Sequence, residues 1–159
     1  MKPRVYVETS VISYLTSHIS RDLIAAARQQ LTRSTWPRLI EEYEIVISFL
    51  VLEEASQGDP RAAAERKDAL ESLPILEIDD SVRSLAQKLI DEPCIPVGYP
   101  EDALHVAVAA MNACDFLLTW NFSHLNNAAM RPSIRHVVAE AGYECPEICS
   151  PEELLGEIL

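Results

Sequence analysis

Residues 4–15, "RVYVETSVISYL", decide the fold. Val5, Tyr6 and Val7 form a short, largely β-branched run of the kind found in strands covered on both faces. The run stops at Glu8. Thr9 and Ser10 follow, and a second apolar stretch begins with helical spacing. An acid at the start of a helix is favoured by the positive end of the helix dipole. An acid at the carboxyl end of a strand also lies where open α/β sheets place their sites. Glu8 alone does not choose between these readings. Other acids arriving at the same edge would.

Outward from this stretch, short apolar runs alternate with longer helical patterns, the signature of βαβ units and a parallel sheet with helices on both faces. The strands are expected at Arg4–Val7, Glu44–Ser48, Ile75–Ile78, Phe116–Thr119 and Glu147–Cys149. The helices between them are expected at Ser10–Leu15, Arg21–Arg33, Phe49–Gln57, Pro60–Leu73, Ser81–Asp91, Glu101–Ala113 and Ser133–Ala141. Gly58 and Gly142 follow helical runs as C-terminal stops. The closing "SPEELLGEIL" has a Ser cap, a Pro at the first helical position and acids in the first turn. The expected fold class is α/β with a central parallel sheet of four to five strands.

With 159 residues and 48% hydrophobic side chains, the chain is expected to form one domain over residues 1–159. No run reaches the roughly 20 apolar residues of a membrane span, and the N-terminus lacks a signal-peptide pattern. No membrane association and a cytoplasmic location are expected. Cys94, Cys114, Cys145 and Cys149 show no zinc-site spacing, so reduced thiols are expected. The net charge of −12 argues against a nucleic-acid partner on its face. Its distribution softens that. Arg21, Arg28, Arg33 and Arg38 face only Asp22 between Thr9 and Ile40, whereas Glu140, Glu144, Glu147, Glu152, Glu153 and Glu157 make an acidic tail without Lys or Arg.

Further acids do reach the proposed edge. "EIVIS" runs directly into "FLVLEEASQGD", which carries Glu53 and Glu54. Successive helical residues are rotated by about 100°, so only one of the two can easily face the strand ends. The neighbouring apolar residues leave the choice open. Asp102 lies in the first turn of "YPEDALHVAVAAMNA". Asn121 follows the fourth strand as Glu8 follows the first. Asp115 opens that strand and lies six residues away; at 3.3 Å per residue this is ~20 Å, at the opposite edge. Carboxylates crowded together repel unless a cation is present. Mg²⁺ or Mn²⁺ prefers such oxygen ligands and can lower the pKa of a bound water for attack on a phosphodiester.

In this order, "YVETSVISYL", "LEEASQGD", "EDALHVAVA" and "DFLLTWN" resemble the PIN domain and, within it, the toxin ribonucleases called VapC. The resemblance covers essentially the whole chain. It implies a three-layer α/β/α fold and metal-dependent RNA cleavage, with Mg²⁺ or Mn²⁺ held by Glu8, Glu54 and Asp102. Glu54 is selected because "EASQG" matches the family's acid, three-residue spacer and Gly. The implied catalytic set is Glu8, Glu54, Asp102 and Asn121. The first and fourth positions are usually Asp. Glu8 is one methylene longer, requiring a shift of up to about 1.5 Å. Asn121 removes one negative charge, which favours one ion over two. The resemblance also implies a homodimer and a small antitoxin partner. The alternative is a weakly active or inactive module that binds RNA or protein.

Ser10 and Thr119 place hydroxyls beside the cluster and are expected to orient a carboxylate or a metal-bound water. Arg21, Arg28, Arg33 and Arg38 are candidates for RNA phosphates, and Trp120 for stacking on a base. Trp36, among those arginines, is equally well read as an interfacial aromatic. His105 reads as a packed core histidine, and His18, His124 and His136 stay unassigned. Lys2, Lys67 and Lys88 do not lie at the proposed edge, and Gly58, Gly98, Gly142 and Gly156 form no phosphate-binding fingerprint. Small-molecule phosphoryl chemistry is therefore disfavoured.

Overall fold

The computed structural model describes residues 1–156. The chain begins with β1 (Arg4–Val7), α1 (Thr9–Thr16), α2 (Leu23–Glu42), β2 (Glu44–Ser48) and α3 (Phe49–Ala55). It continues through α4 (Pro60–Leu70), β3 (Ile75–Leu76), α5 (Asp80–Asp91) and α6 (Pro100–Met111). β4 (Phe116–Leu118), α7 (Arg131–Glu140), β5 (Glu147–Cys149) and α8 (Pro151–Leu155) complete the described fold. No helix among the described residues is long and apolar enough to cross a membrane.

The five strands form a parallel sheet in the order β3-β2-β1-β4-β5. Val5, Tyr6 and Val7 are each 0% exposed, so both faces of the central strand are covered. This is why β1 reads as an unbroken apolar run without alternation. The helices fall into two contacting groups, α1 to α4 with α8, and α5 to α7. The α/β fold with helices on both faces of a parallel sheet stands as expected. Because β2 and β4 flank β1, the order of the strands reverses there, and a crevice opens at the carboxyl ends. Asp115 immediately precedes β4 at the other edge, where its carboxylate accepts from the backbone N–H of Arg4 at 2.8 Å.

The largest departure is α2, expected to stop at Arg33 but running to Glu42. Pro37 lies inside it, has no N–H for the Arg33 carbonyl, and would normally end a helix at a cost of about 3 kcal/mol. Leu31, Thr35 and Leu39, at four-residue spacing, are all buried on one face. A fully buried Leu contributes about 1.5–3 kcal/mol, so these residues offset the proline. β3 stops at Leu76 and not Ile78, β4 stops one residue before Thr119, and α7 starts at Arg131, before its expected Ser133. Part of the acidic tail is structural. Ser150 and Glu153 form a capping box, and Arg131 and Arg135 lie 3.8 Å from Glu153 and Glu147. Residues 157–159, with Glu157, lie outside the described residues. Gly142 directly follows the Ala141 cap of α7 at φ 91°, where a side chain is disfavoured, and ends that helix as expected, whereas Gly58, at φ 83°, lies in the turn three residues past the end of α3.

Candidate active site at the strand ends

Glu8 leaves β1 and caps α1. Its Oε2 accepts from the Ser10 N–H at 3.1 Å, while its Oε1 accepts from the hydroxyls of Ser10 at 2.5 Å and Thr119 at 2.6 Å. The Glu8 N–H donates to the Leu118 carbonyl at 3.0 Å, fastening the end of β1 to that of β4. The same hydroxyls hold the chain beyond β4: Ser10 accepts from the Trp120 N–H and Thr119 from the Asn121 N–H, each at 2.9 Å. Ser10 and Thr119 therefore orient the first acid, and Glu8 is both a helix cap and a buried carboxylate 7% exposed.

On α3, Glu53 is exposed and Glu54 turns inward. Oε1 of Glu54 accepts from the Thr9 hydroxyl and from His105 Nε2, both at 2.7 Å. His105 lies on α6, is 0% exposed, and has its Nδ1 2.6 Å from the Tyr6 hydroxyl. That hydroxyl is in turn 2.8 Å from Ser48 Oγ. Ligating atoms of Glu8, Glu54 and His105 all lie within 4.8 Å of one another. The core histidine expected from sequence is buried, and it is also part of the cluster. Nothing local signalled this, because its partners are on β1 and α3.

Charge follows from this packing. Burial pushes the Glu54 carboxyl up, but the His105 hydrogen bond, the imidazolium charge and the Thr9 hydroxyl outweigh it and hold its pKa below 4.5. Burial pushes His105 down, yet the bond to Glu54 and the charges of Glu8, Glu54 and Asp102 raise it above 6.5. Burial keeps the Tyr6 hydroxyl neutral, with a pKa well above 10.0. Glu54 contributes stability that is complete above pH 4.5 and lost as pH falls through its lowered folded value. His105 contributes stability that is complete below pH 6.5 and lost as pH rises through its raised folded value. The gap in thermal midpoint between wild type and Glu54→Gln is therefore expected to be widest between pH 4.5 and 6.5. Thermal melts across pH check this, and a gap that keeps widening above neutral pH would contradict it.

Asp102 stands in the first turn of α6, three residues before His105 and on the same helical face. Its Oδ1 accepts from Asn121 Nδ2 at 3.3 Å, and its Oδ2 pairs with His124 Nδ1 at 3.0 Å. Asn121 Oδ1 also accepts from the N–H groups of Ser123 and His124, at 3.1 and 3.0 Å. Asn121 therefore bridges Asp102 to the β4 turn. Asp102 lies outside the close grouping of Glu8, Glu54 and His105. His124, unassigned from sequence, is a site neighbour whose ring centroid lies 4.0 Å from that of Tyr99. Its partner is 22 positions away, so no spacing rule marks it. His136 pairs with Glu140 on the exposed surface of α7 at 3.1 Å.

Among the described residues, Oε2 of Glu54 accepts no hydrogen bond, and Oε2 of Glu8 accepts only the Ser10 N–H. Carboxylate oxygens with spare acceptor capacity suit a hard divalent cation, which takes oxygen ligands and retains water. The donor set fits such an ion.

The candidates for RNA contact are dispersed. Arg21 is exposed, and Arg28 lies over the rings of Phe122 and Trp120, 4.7 and 5.6 Å from their centroids. Arg33 is turned to the carbonyls of Leu15, at 3.2 Å, and Ser17, closing the end of α1. Arg38 pairs with Glu42 at 2.7 Å and donates to the Leu155 carbonyl at 3.3 Å. Trp120 does not offer a stacking face. It is 5% exposed, and its Nε1 donates to Thr32 Oγ1 at 2.8 Å, so it serves as core between the β4 turn and α2. The exposed rings near the site are Tyr99 and Phe122.

Comparison with curated protein sequences gives no match. Among solved structures, the chain is similar to VapC20 of Mycobacterium tuberculosis, described as a sarcin-ricin loop cleaving toxin. The TM-score is 0.56 and the identity 15%, covering 87% of this chain and 95% of that one. It is also similar to VapBC2 of Rickettsia felis bound to a promoter DNA fragment, with TM-score 0.55 and identity 16%, covering 76% and 89% of the two chains. VapBC-1 of nontypeable Haemophilus influenzae gives TM-score 0.55 and identity 12%, covering 93% and 98%. At these identities the likeness speaks for the fold. The PIN-domain profile matches residues 5–129, a span that runs from β1 past Asn121 and takes in every acid of the strand-end cluster. The chain belongs to the PIN-domain family.

Proposed function

We propose that this chain is a divalent-metal-dependent endoribonuclease, the toxin of a type II toxin–antitoxin pair, acting in the cytoplasm. The observation that carries the reading is the meeting of Glu8 and Glu54, 46 positions apart in the chain, at the carboxyl edge of a parallel sheet. Glu8 and Glu54 would hold Mg²⁺ or Mn²⁺ through their less engaged oxygens, and Asp102 would complete the set. When bound, such an ion polarises a phosphodiester oxygen and lowers the pKa of a water. The chain supplies orientation. Ser10, Thr119, Thr9 and His105 fix the two glutamates, while Asn121 and His124 fix Asp102. Arg28, lying over the Phe122 ring, and the exposed Arg21 are the candidates to meet phosphates.

Two kinds of protein partner belong to this reading, a second copy of the chain and a small antitoxin. Exposed apolar side chains at Ile19, Leu23 and Ile24 support such contacts. So does an open cleft of about 650 Å³ between Phe49, Ile75 and Leu104. A catalytically silent RNA- or protein-binding module is the second reading. The specific observations in its favour are the His105 imidazole bonded to Glu54 within the cluster and the neutral Asn121 in place of a fourth acid.

The experiment is cleavage of an RNA pool with millimolar Mg²⁺ or Mn²⁺, followed by removal of the metal with EDTA. Cleavage is expected with metal, is abolished by EDTA, returns on adding Mn²⁺, and is unchanged in Asp115→Asn at the opposite edge. Cleavage that persists in EDTA would exclude the metal-dependent reading. Tight Mn²⁺ binding without cleavage of any RNA would favour the silent module.

A further inference from the structure

Three polar side chains cross the interior in single file and end on a site carboxylate. Ser48 closes β2, Tyr6 lies in β1 and His105 in α6. Their relative exposures are all 0%, and the links between them are 2.8 and 2.6 Å. The last link, 2.7 Å from His105 Nε2 to Glu54 Oε1, joins this buried file to a side chain that is 28% exposed. A carboxylate oxygen only accepts, so the proton on Nε2 points at Glu54. Leucine or phenylalanine could fill such space without placing polar groups in a core, where each is costly unless bonded. Packing alone therefore does not account for the file.

What the file does is visible at both ends of α3. Ser48 caps the helix, accepting from the Val51 N–H at 3.4 Å, and His105 grips Glu54 in its last turn. His105 and Thr9 both take Oε1 of Glu54, and among the described residues Oε2 accepts nothing. The same asymmetry recurs at Glu8, where Ser10 and Thr119 hydroxyls share Oε1. Glu54 is thus clamped by one oxygen and presents the other, whereas Glu8 keeps only the Ser10 N–H on its second oxygen.

We propose that His105, braced by Tyr6 and Ser48, is a positioning residue that clamps Glu54 by one oxygen and so aims the other into the site. The proposal rests on Glu54 being a working carboxylate of the proposed nuclease, and deepens that reading. The variants are Tyr6→Phe, which unbraces the ring at constant shape, and His105→Leu, which removes the clamp. His105→Gln is the conservative rescue, because its amide can return a donor to Glu54. Each is checked for cooperative thermal unfolding, then measured for Mn²⁺ affinity by calorimetry, for kcat and KM on RNA, and for the Glu54 rotamer by crystallography.

His105→Leu is expected to weaken Mn²⁺ binding and to lower kcat about 10–100-fold with KM nearly unchanged. Its Glu54 side chain should be displaced or split between rotamers. His105→Gln should recover most of the loss, and Tyr6→Phe should fall between. Should His105→Leu fail to fold, Tyr6→Phe carries the test. Unchanged Mn²⁺ affinity together with an unmoved Glu54 would overturn the proposal, whatever happens to the thermal midpoint. If the wild type binds Mn²⁺ but cleaves nothing, the nuclease reading fails while affinity and rotamer still decide the role of His105. If the wild type binds no Mn²⁺, the rotamer decides it alone.

Discussion

Glu54→Gln is expected to lower metal-dependent RNA cleavage on the order of 10³-fold while leaving a folded protein, because several kcal/mol of transition-state stabilisation convert to that factor. The side-chain amide keeps the volume and one acceptor oxygen, so His105 Nε2 and the Thr9 hydroxyl retain a partner. What is lost is the anionic charge and an oxygen able to hold a hard cation. Exchanging a charged acceptor for a neutral one costs about 1 kcal/mol of stability. Cleavage rates at saturating Mn²⁺, set beside urea unfolding of the same samples, separate the two effects. Wild-type cleavage by the variant would remove Glu54 from the mechanism. Loss of cooperative unfolding would mean that Glu54 acts mainly through the fold.

The second large effect concerns stability. Trp120→Ala is expected to destabilise the protein by about 3–5 kcal/mol, the usual cost of truncating a buried Trp. The indole packs 6.1 Å from the rings of Tyr14 and Phe122 and donates to Thr32, so it fastens the β4 turn to both α1 and α2. Asn121 follows directly, and truncation would loosen the turn that bridges to Asp102. Phe122→Ala, at a ring 37% exposed, is expected to cost far less, because much of that ring already meets water. Urea midpoints compare the two. A Trp120→Ala protein as stable as wild type, but defective in binding RNA, would restore the indole to the role of a base-stacking platform.

These expectations show which parts of the molecule its sequence makes legible. β1 and β2 are apolar runs bounded by helix starts, and their limits follow from residue type alone. The placing of Glu8 and Asn121 at one edge also follows, since parallel strands share their carboxyl ends. The extent of α2 does not. Pro37 is a valid local stop signal, and only the burial of Leu31, Thr35 and Leu39 against the rest of the fold overrides it. Trp120 misleads for a related reason, because an aromatic beside a site residue looks alike in sequence whether it faces solvent or α2.

The site is legible in its carboxylates and opaque in its histidines. An acid after a strand carries a positional meaning, whereas a histidine in an apolar helix acquires one only from what lies opposite. His105 finds Glu54 and Tyr6 across 51 and 99 positions, and His124 finds Asp102 across 22. Helical periodicity leaves the choice between Glu53 and Glu54 open, and only the match of "EASQG" to the family pattern selects Glu54. The structure turns Glu53 outward to line the cleft with Phe49 and Ile75, and Glu54 inward to His105.

The proposed nuclease chemistry requires Glu8 and Glu54 jointly to hold a divalent cation at the carboxyl edge of the sheet. A crystal structure of the wild-type protein in millimolar Mn²⁺, with anomalous scattering to locate the ion, tests it most directly. One Mn²⁺ is expected, bonded to an oxygen of each glutamate, with Asp102 reaching it directly or through water. Both glutamates ordered as described, with Mn²⁺ absent or bound elsewhere, would contradict it.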